Sequence, residues 1–184
     1  TGAMLLATIQ HDGGMIPGAS YRAFADVVLP RVVDGDYRIV VSTDATHKVH
    51  ERFDEGDNIT VSAATIAFGH ADLQVSVLSA PDDQQLGYPV QVPVTWTVTN
   101  QGQRPTIPGA WQDYVFVSQN AVIGDADDLQ VGSFLHNGTL QPGDSVEQTR
   151  SVSLPFGVKG QYYLFVTADA ANHVFEAEHE SNNQ

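Results

Sequence analysis

Apolar residues recur along this chain at every second position, in short runs. The clearest run is 90–99, where Val90, Val92, Val94, Trp96 and Val98 alternate with Gln91, Pro93, Thr95, Thr97 and Thr99. A period of two predicts a strand with one buried face. Pro93 falls on the outward face and has no N–H for a ladder, so a bulge or an edge is expected there. Leu73, Val75 and Val77 alternate in the same way, up to the turn-forming Ser79-Ala80-Pro81-Asp82-Asp83. Residues 113–118 read as a short aromatic strand, with Tyr114 and Phe116 on one face and Val115 and Val117 on the other. Further strands are expected over 129–135, 145–154 and 161–167. They are separated by Asn137-Gly138, by Pro142-Gly143-Asp144 and by the glycine-bearing turn 156–160. No segment sustains a helical period with caps. Short strands at this spacing predict an all-β fold, an antiparallel β-sandwich.

The pattern also repeats. Residues 7–58 align with 132–183 at a constant offset of 125 with no gap, and 18 of the 52 aligned positions are identical. His11 and Gly13 match His136 and Gly138, Pro17-Gly18 matches Pro142-Gly143, and Leu29-Pro30 matches Leu154-Pro155. Farther on, Asp44-Ala45, Val49, Glu51, Glu55 and Asn58 match Asp169-Ala170, Val174, Glu176, Glu180 and Asn183. The shared residues are turn formers and strand-spaced apolars, the signature of tandem β modules. The expected organisation is the C-terminal half of a first repeat over 5–68, a linker Gly69-His70-Ala71, and a second repeat over 72–184 that lacks its last strand. Half a sandwich exposes unpaired backbone groups. Residues 59–68, from Ile59 to Phe68, are therefore a candidate for self-association by strand pairing; otherwise the half-repeat is stabilised by whatever it can pair with.

Composition narrows the chemistry. The chain has 184 residues and no cysteine, which removes disulfides, thiolate metal sites and a cysteine nucleophile. Its formal net charge is −14 with only two lysines, Lys48 and Lys159, which argues against nucleic acid or an anionic membrane as partner. No apolar run approaches the length of a membrane span.

Acidic turns are the candidate sites. Asp125, Asp127 and Asp128 lie within four residues and offer the hard oxygen ligands that Ca2+ selects, without the spacing of an EF-hand loop. Strand direction carries the loop holding Asp82 and Asp83 to the same end of the sandwich, so these two are candidate co-ligands. Asp34, Asp36 and Asp72 form a second candidate calcium set between the repeats. The recurring Asp169-x-x-Asn172-x-Val174-x-Glu176 is better explained as a turn, since Asp and Asn close turns and tolerate left-handed backbone. Seven histidines show no zinc-type pairing. Trp96 is in phase with the buried valines and reads as core. Trp111, beside Pro108-Gly109, reads as an exposed ring and a candidate ligand platform. No nucleophile elbow or serine triad appears.

Residues 72–183 resemble the CARDB module, a cell-adhesion-related domain of bacterial surface proteins. The resemblance rests on Asp72-Leu73-Gln74-Val75, Gly87-Tyr88-Pro89-Val90, Trp96-Thr97-Val98-Thr99-Asn100-Gln101-Gly102 and Trp111-Gln112-Asp113-Tyr114-Val115. It continues through Gly124-Asp125-Ala126-Asp127-Asp128, Leu154-Pro155, Gly160-Gln161-Tyr162-Tyr163-Leu164 and the tail from Ala168 to Asn183. It implies an immunoglobulin-like sandwich in tandem array, no catalytic residues, and an extracellular or cell-surface setting. Its partners would be neighbouring repeats of the same chain and a protein or glycan surface ligand. The expected function is that of a non-catalytic stalk or weak adhesion module. The alternative is a carbohydrate-binding accessory module of an extracellular hydrolase, which an exposed Trp111 beside a polar groove would favour and burial of both tryptophans would disfavour.

Overall fold

The computed structural model describes residues 2–32, 34–51, 56–81, 90–155 and 160–184. Among them are ten strands and one 3-10 turn, Ala177–His179, so the fold is all-β as the alternation predicts. The chain divides into two compact units, one of Thr1–Val32 and Asp36–Ala67, the other of Val33–Gly35 and Phe68–Gln184.

The second unit is a sandwich of two three-stranded antiparallel sheets. One has the order β5(Leu73–Ser79), β6(Val90–Asn100), β9(Ser145–Leu154); the other has β10(Tyr163–Thr167), β7(Ala110–Ser118), β8(Leu129–Asn137). β6 runs unbroken along β9 from Val90↔Leu154 to Thr99↔Ser145. Pro93 takes its place there opposite Ser151 with no bulge. Among the described residues β5 pairs only as far as Ser79↔Thr95, so Pro93 has no described ladder partner on that side, where a missing N–H is tolerated. The shifts in register fall elsewhere, between Val75 and Val77 of β5 and between Val115 and Phe116 of β7.

The inward positions of both sheets meet in one core. Leu73, Val94, Trp96, Val98, Trp111, Val115 and Val174 are fully buried, with Val152 and Val166 nearly so. Burial in β7 alternates strictly from Trp111 to Val117, so the strand begins at Ala110, three residues earlier than its aromatic pattern indicates. Trp111 is thus a strand residue facing inward. The exposed-ring expectation is wrong because the inward phase extends back from Val115 and Val117 through Asp113 to Trp111.

Gly69–Ala71, expected as a linker, is built into this unit. His70 O accepts from Gln103 N at 2.9 Å and Arg104 N at 3.2 Å, and Ala71 is buried. Gly102 makes the crossing possible: a Cβ there would lie 2.3 Å from His70 O and 2.6 Å from Asp72 N.

The remaining described strands form two short ribbons, β1(Gly35–Tyr37) with β4(Ile66–Phe68), and, wholly within the other unit, β2(Val40–Ser42) with β3(Ile59–Val61). The stretch 59–68 is therefore two strands, not one. They are separated where Ser62 turns its hydroxyl onto Ala64 O at 2.7 Å and accepts from Ile39 N at 3.1 Å. No described residue from 2 to 67 is buried.

Candidate functional site

The acidic loop between β7 and β8 is knit by hydrogen bonds. Asp127 Oδ2 accepts from Ser118 Oγ at 3.1 Å and Gln119 N at 2.9 Å, and its Oδ1 accepts from Asn120 Nδ2 at 2.9 Å. The same amide donates to Asp125 Oδ2 at 2.9 Å, and Asp125 Oδ1 accepts from Asp127 N at 3.2 Å. Asp128 Oδ2 accepts from the backbone N–H groups of Gly124 and Asp125, while its buried Oδ1 has no hydrogen-bond partner among the described residues. The structure brings Asp125, Asp127 and Asp128 into one loop, with five of their six carboxylate oxygens engaged by N–H or O–H donors. Asp82 and Asp83 lie outside the described residues.

The second acidic set is spread over different partners. Asp34 accepts from His70 N at 3.3 Å and pairs with His70 Nδ1. Asp72 Oδ1 accepts from Asn182 Nδ2 at 3.0 Å, and its two oxygens share the Gln74 amide at 3.1 and 3.3 Å. Asp36 is exposed on β1 of the other unit. Among the described residues, no group of three His, Asp or Glu side chains is arranged to hold a metal ion.

A buried polar constellation centres on Asp113, which is fully inaccessible. Its Oδ2 accepts from Trp96 Nε1 at 2.9 Å and Gln148 Nε2 at 3.0 Å. Its Oδ1 accepts from Trp111 Nε1 at 2.9 Å and Asp169 N at 3.3 Å. Four donors from β6, β7, β9 and the turn after β10 thus converge on one carboxylate, which ties the two sheets together. Burial pushes its pKa up, and the Trp96, Asp169 and Trp111 hydrogen bonds oppose that shift. The indole of Trp111 also stacks on His136, ring centres 3.9 Å apart. Both tryptophans use their faces for packing and their N–H groups for Asp113, which leaves no indole surface for a sugar.

The tail forms a second clasp. Asp169 and Asn172 adopt left-handed backbone, with φ of 43° and 50°, and the Asp169 carboxylate accepts from His173 N at 3.0 Å and Val174 N at 2.7 Å. At the offset of 125, Asp44 and His47 do the same with φ of 40° and 52°, and Asp44 accepts from Lys48 N and Val49 N, both at 2.8 Å. The recurring motif therefore makes the same turn twice, each carboxylate occupied by backbone donors. Glu176 is fully buried and accepts from Leu73 N at 3.0 Å, fastening the tail to the start of β5. Asn183 is oriented so that its nitrogen donates to Leu73 O at 2.8 Å and Glu176 Oε2 at 3.0 Å. Burial raises the Glu176 pKa to about 8, against the Leu73 hydrogen bond and with help from the charges of Glu180, Asp169 and Asp72.

Sequence reasoning missed Asp113, Gln148 and Glu176 as organising residues. The signal for Asp113 was present: a carboxylate in the inward phase of a strand, between Trp111 and Val115. Glu176 was singled out by its recurrence with Glu51, but only as part of a turn; its burial left no signal, since irregular chain has no period to read. An open concavity of about 360 Å³ is lined by β8 and β9 residues including Leu135, Asn137, Glu147 and Arg150, and none of the perturbed carboxylates lines it.

The six strands described in this unit, closed by the tail clasp, form an immunoglobulin-like β-sandwich. Residues 70–184 match the CARDB family model, and the chain belongs to the CARDB family, a non-catalytic domain family of bacterial extracellular and surface proteins. Comparison with curated protein sequences finds no match. Among solved structures, it is similar to β-glucosidase 3B from Thermotoga neapolitana, at 18% identity and a TM-score of 0.40, over 59% of this chain and 15% of that one. It is also similar to β-D-glucoside glucohydrolase from Trichoderma reesei, at 16% identity and a TM-score of 0.38, over 58% of this chain and 18% of that one. The chain thus spans less than a fifth of these enzymes, and likeness at this level carries no argument about activity.

Proposed function

We propose that this chain is a structural, adhesion-type repeat of a bacterial secreted or surface protein, acting as a spacer in a tandem array. The observation that carries this reading is the burial of both tryptophans against Asp113. Residues that would otherwise make a ligand platform or a reactive centre are used to lock the two sheets together. A module selected for mechanical persistence needs this kind of inter-sheet tie, and one selected for sugar recognition needs exposed aromatic faces. The same burial weighs against the accessory-module alternative, because Trp111 was its only aromatic candidate. Single-molecule stretching of the chain by its ends tests the proposal. The expected trace shows one cooperative unfolding peak for the sandwich, at lower force in Asp113→Ala. Saturable binding of a soluble polysaccharide with a change in tryptophan fluorescence would overturn it in favour of the carbohydrate-binding reading.

A further inference from the structure

The concavity between β8 and β9 lies at the sandwich edges opposite to β5 and β10. Among the described residues β9 pairs only with β6 and β8 only with β7, so both walls of this groove are strand edges with backbone groups to spare. β9 runs ten residues beside β6 without a bulge, and neither β8 nor β9 carries the proline or lysine that blunts an edge.

Arg150 lines the groove. The chain has 22 acidic residues against eight Lys and Arg, yet the hydrogen bonds of this guanidinium go to neutral acceptors. Nη2 donates to Gln148 Oε1 at 3.0 Å and Nη1 to Thr149 O at 3.2 Å. Gln148 is itself anchored, its Nε2 donating to the buried Asp113 Oδ2 at 3.0 Å. The fork is thus held from the core while N–H groups and a full positive charge stay available for an acid. The rest of the lining narrows the class of ligand. The only ring in it, His136, is nearly buried and stacked on Trp111, so no open aromatic face receives a sugar. Leu135, 54% exposed, offers an apolar spot instead. Free strand edges, one preset arginine and one apolar patch suit an extended peptide.

We propose that the groove between β8 and β9 takes an extended segment of a protein partner, which adds as a strand along β9 and seats one Glu or Asp carboxylate on Arg150. Glu147, three residues along β9, lines the same groove and repels a second acid there. The segment favoured therefore carries a single carboxylate among hydroxyl and apolar residues. This gives the module a binding partner beyond its role as a spacer.

The probe is a capped peptide, acetyl-Ser-Thr-Val-Glu-Val-Thr-Ser-amide, titrated into the nitrogen-15-labelled full chain and followed by NMR. Saturable shifts are expected in Leu135–Asn137, in Ser145–Leu154 and at the Arg150 Nε–H, and not in β5 or β10. Replacing the peptide's Glu by Gln should weaken binding roughly tenfold or more, the usual effect of losing a charge-assisted hydrogen bond. Arg150→Gln should erase the difference between the two peptides while the melting transition stays in place. If that variant does not fold, the two peptides on the natural chain still decide the matter. Sodium acetate at the same carboxylate concentration separates a peptide groove from a bare anion site. No shifts at millimolar peptide would overturn the proposal, as would equal binding of the Glu and Gln peptides. Acetate shifts as large as those of the peptide would also overturn it, because the strand edges would then contribute nothing.

Discussion

Asp113 and Glu176 show two ways in which a buried carboxylate can be accommodated. Asp113 is compensated by four donors, so its removal is expensive. Asp113→Ala leaves two indole N–H groups, the Gln148 amide and the Asp169 backbone N–H without this acceptor in the core, and an unsatisfied buried donor costs about 1–3 kcal/mol. The expected result is a loss of several kcal/mol in urea unfolding, and a smaller loss for Asp113→Asn, which keeps one acceptor oxygen. Glu176 is compensated by a proton. Between its ordinary value of 4.5 and about 8, the native chain holds a proton that the unfolded chain has released. Its contribution is therefore fully present below pH 4.5 and lost progressively as the pH rises to 8, on the order of a few kcal/mol. Melting midpoints should fall across that window, and Glu176→Gln, which mimics the protonated acid, should flatten the profile and raise the midpoint at pH 8. A profile unchanged by Glu176→Gln would show that this carboxyl is not the group responsible. Asp113 was legible as an anomaly in a period-two pattern. Glu176 was not, because its burial depends on a tail folding over the start of β5, more than 100 residues away in sequence.

At the scale of elements, alternation located nearly every strand of the sandwich and misjudged the ends. β7 starts three residues early and β10 two residues late relative to their apolar patterns, since strand ends depend on what they pair with. The loop Ser118–Asp128 was legible as an acidic turn, but composition alone does not distinguish ligands for a cation from caps for backbone N–H groups. Its hydrogen bonds favour caps. Millimolar calcium is therefore expected to leave the calorimetric midpoint unchanged, whereas Asp127→Ala, which frees Ser118, Gln119 and Asn120, should lower it modestly. A calcium-dependent rise that disappears in Asp125→Asn and Asp127→Asn would restore the metal reading. Gly102 is the tightest point between elements. Its missing Cβ admits the backbone of His70–Asp72, so Gly102→Ala must push the start of β5 off the sandwich. The expected cost is about 1–3 kcal/mol, as for overpacking elsewhere, read as a drop in denaturation midpoint with little change in slope.

For the whole molecule, the division of core is the governing fact. Every buried residue described belongs to Ala71–Asn183, and none of the described residues from 2 to 67 is buried, although that stretch includes Leu5, Ile16, Phe24 and Val28, which are 77–94% exposed. An apolar side chain contributes to stability only to the extent that it leaves water. The repeat was legible because both copies carry the same turn residues, yet identical turns do not make equal domains: Asp44 and Asp169 close the same turn, and only the second lies over a core. Stability should therefore be unevenly distributed, and native-state opening of the Asp36–Ala67 region should require much less free energy than opening of the sandwich. Limited proteolysis should cut first among Arg22, Arg31, Arg38 and Lys48, and leave a resistant fragment that contains Phe68–Gln184. Hydrogen exchange should show strong amide protection at Val94–Val98 and Val115–Val117, and weak protection at Ile59–Val61.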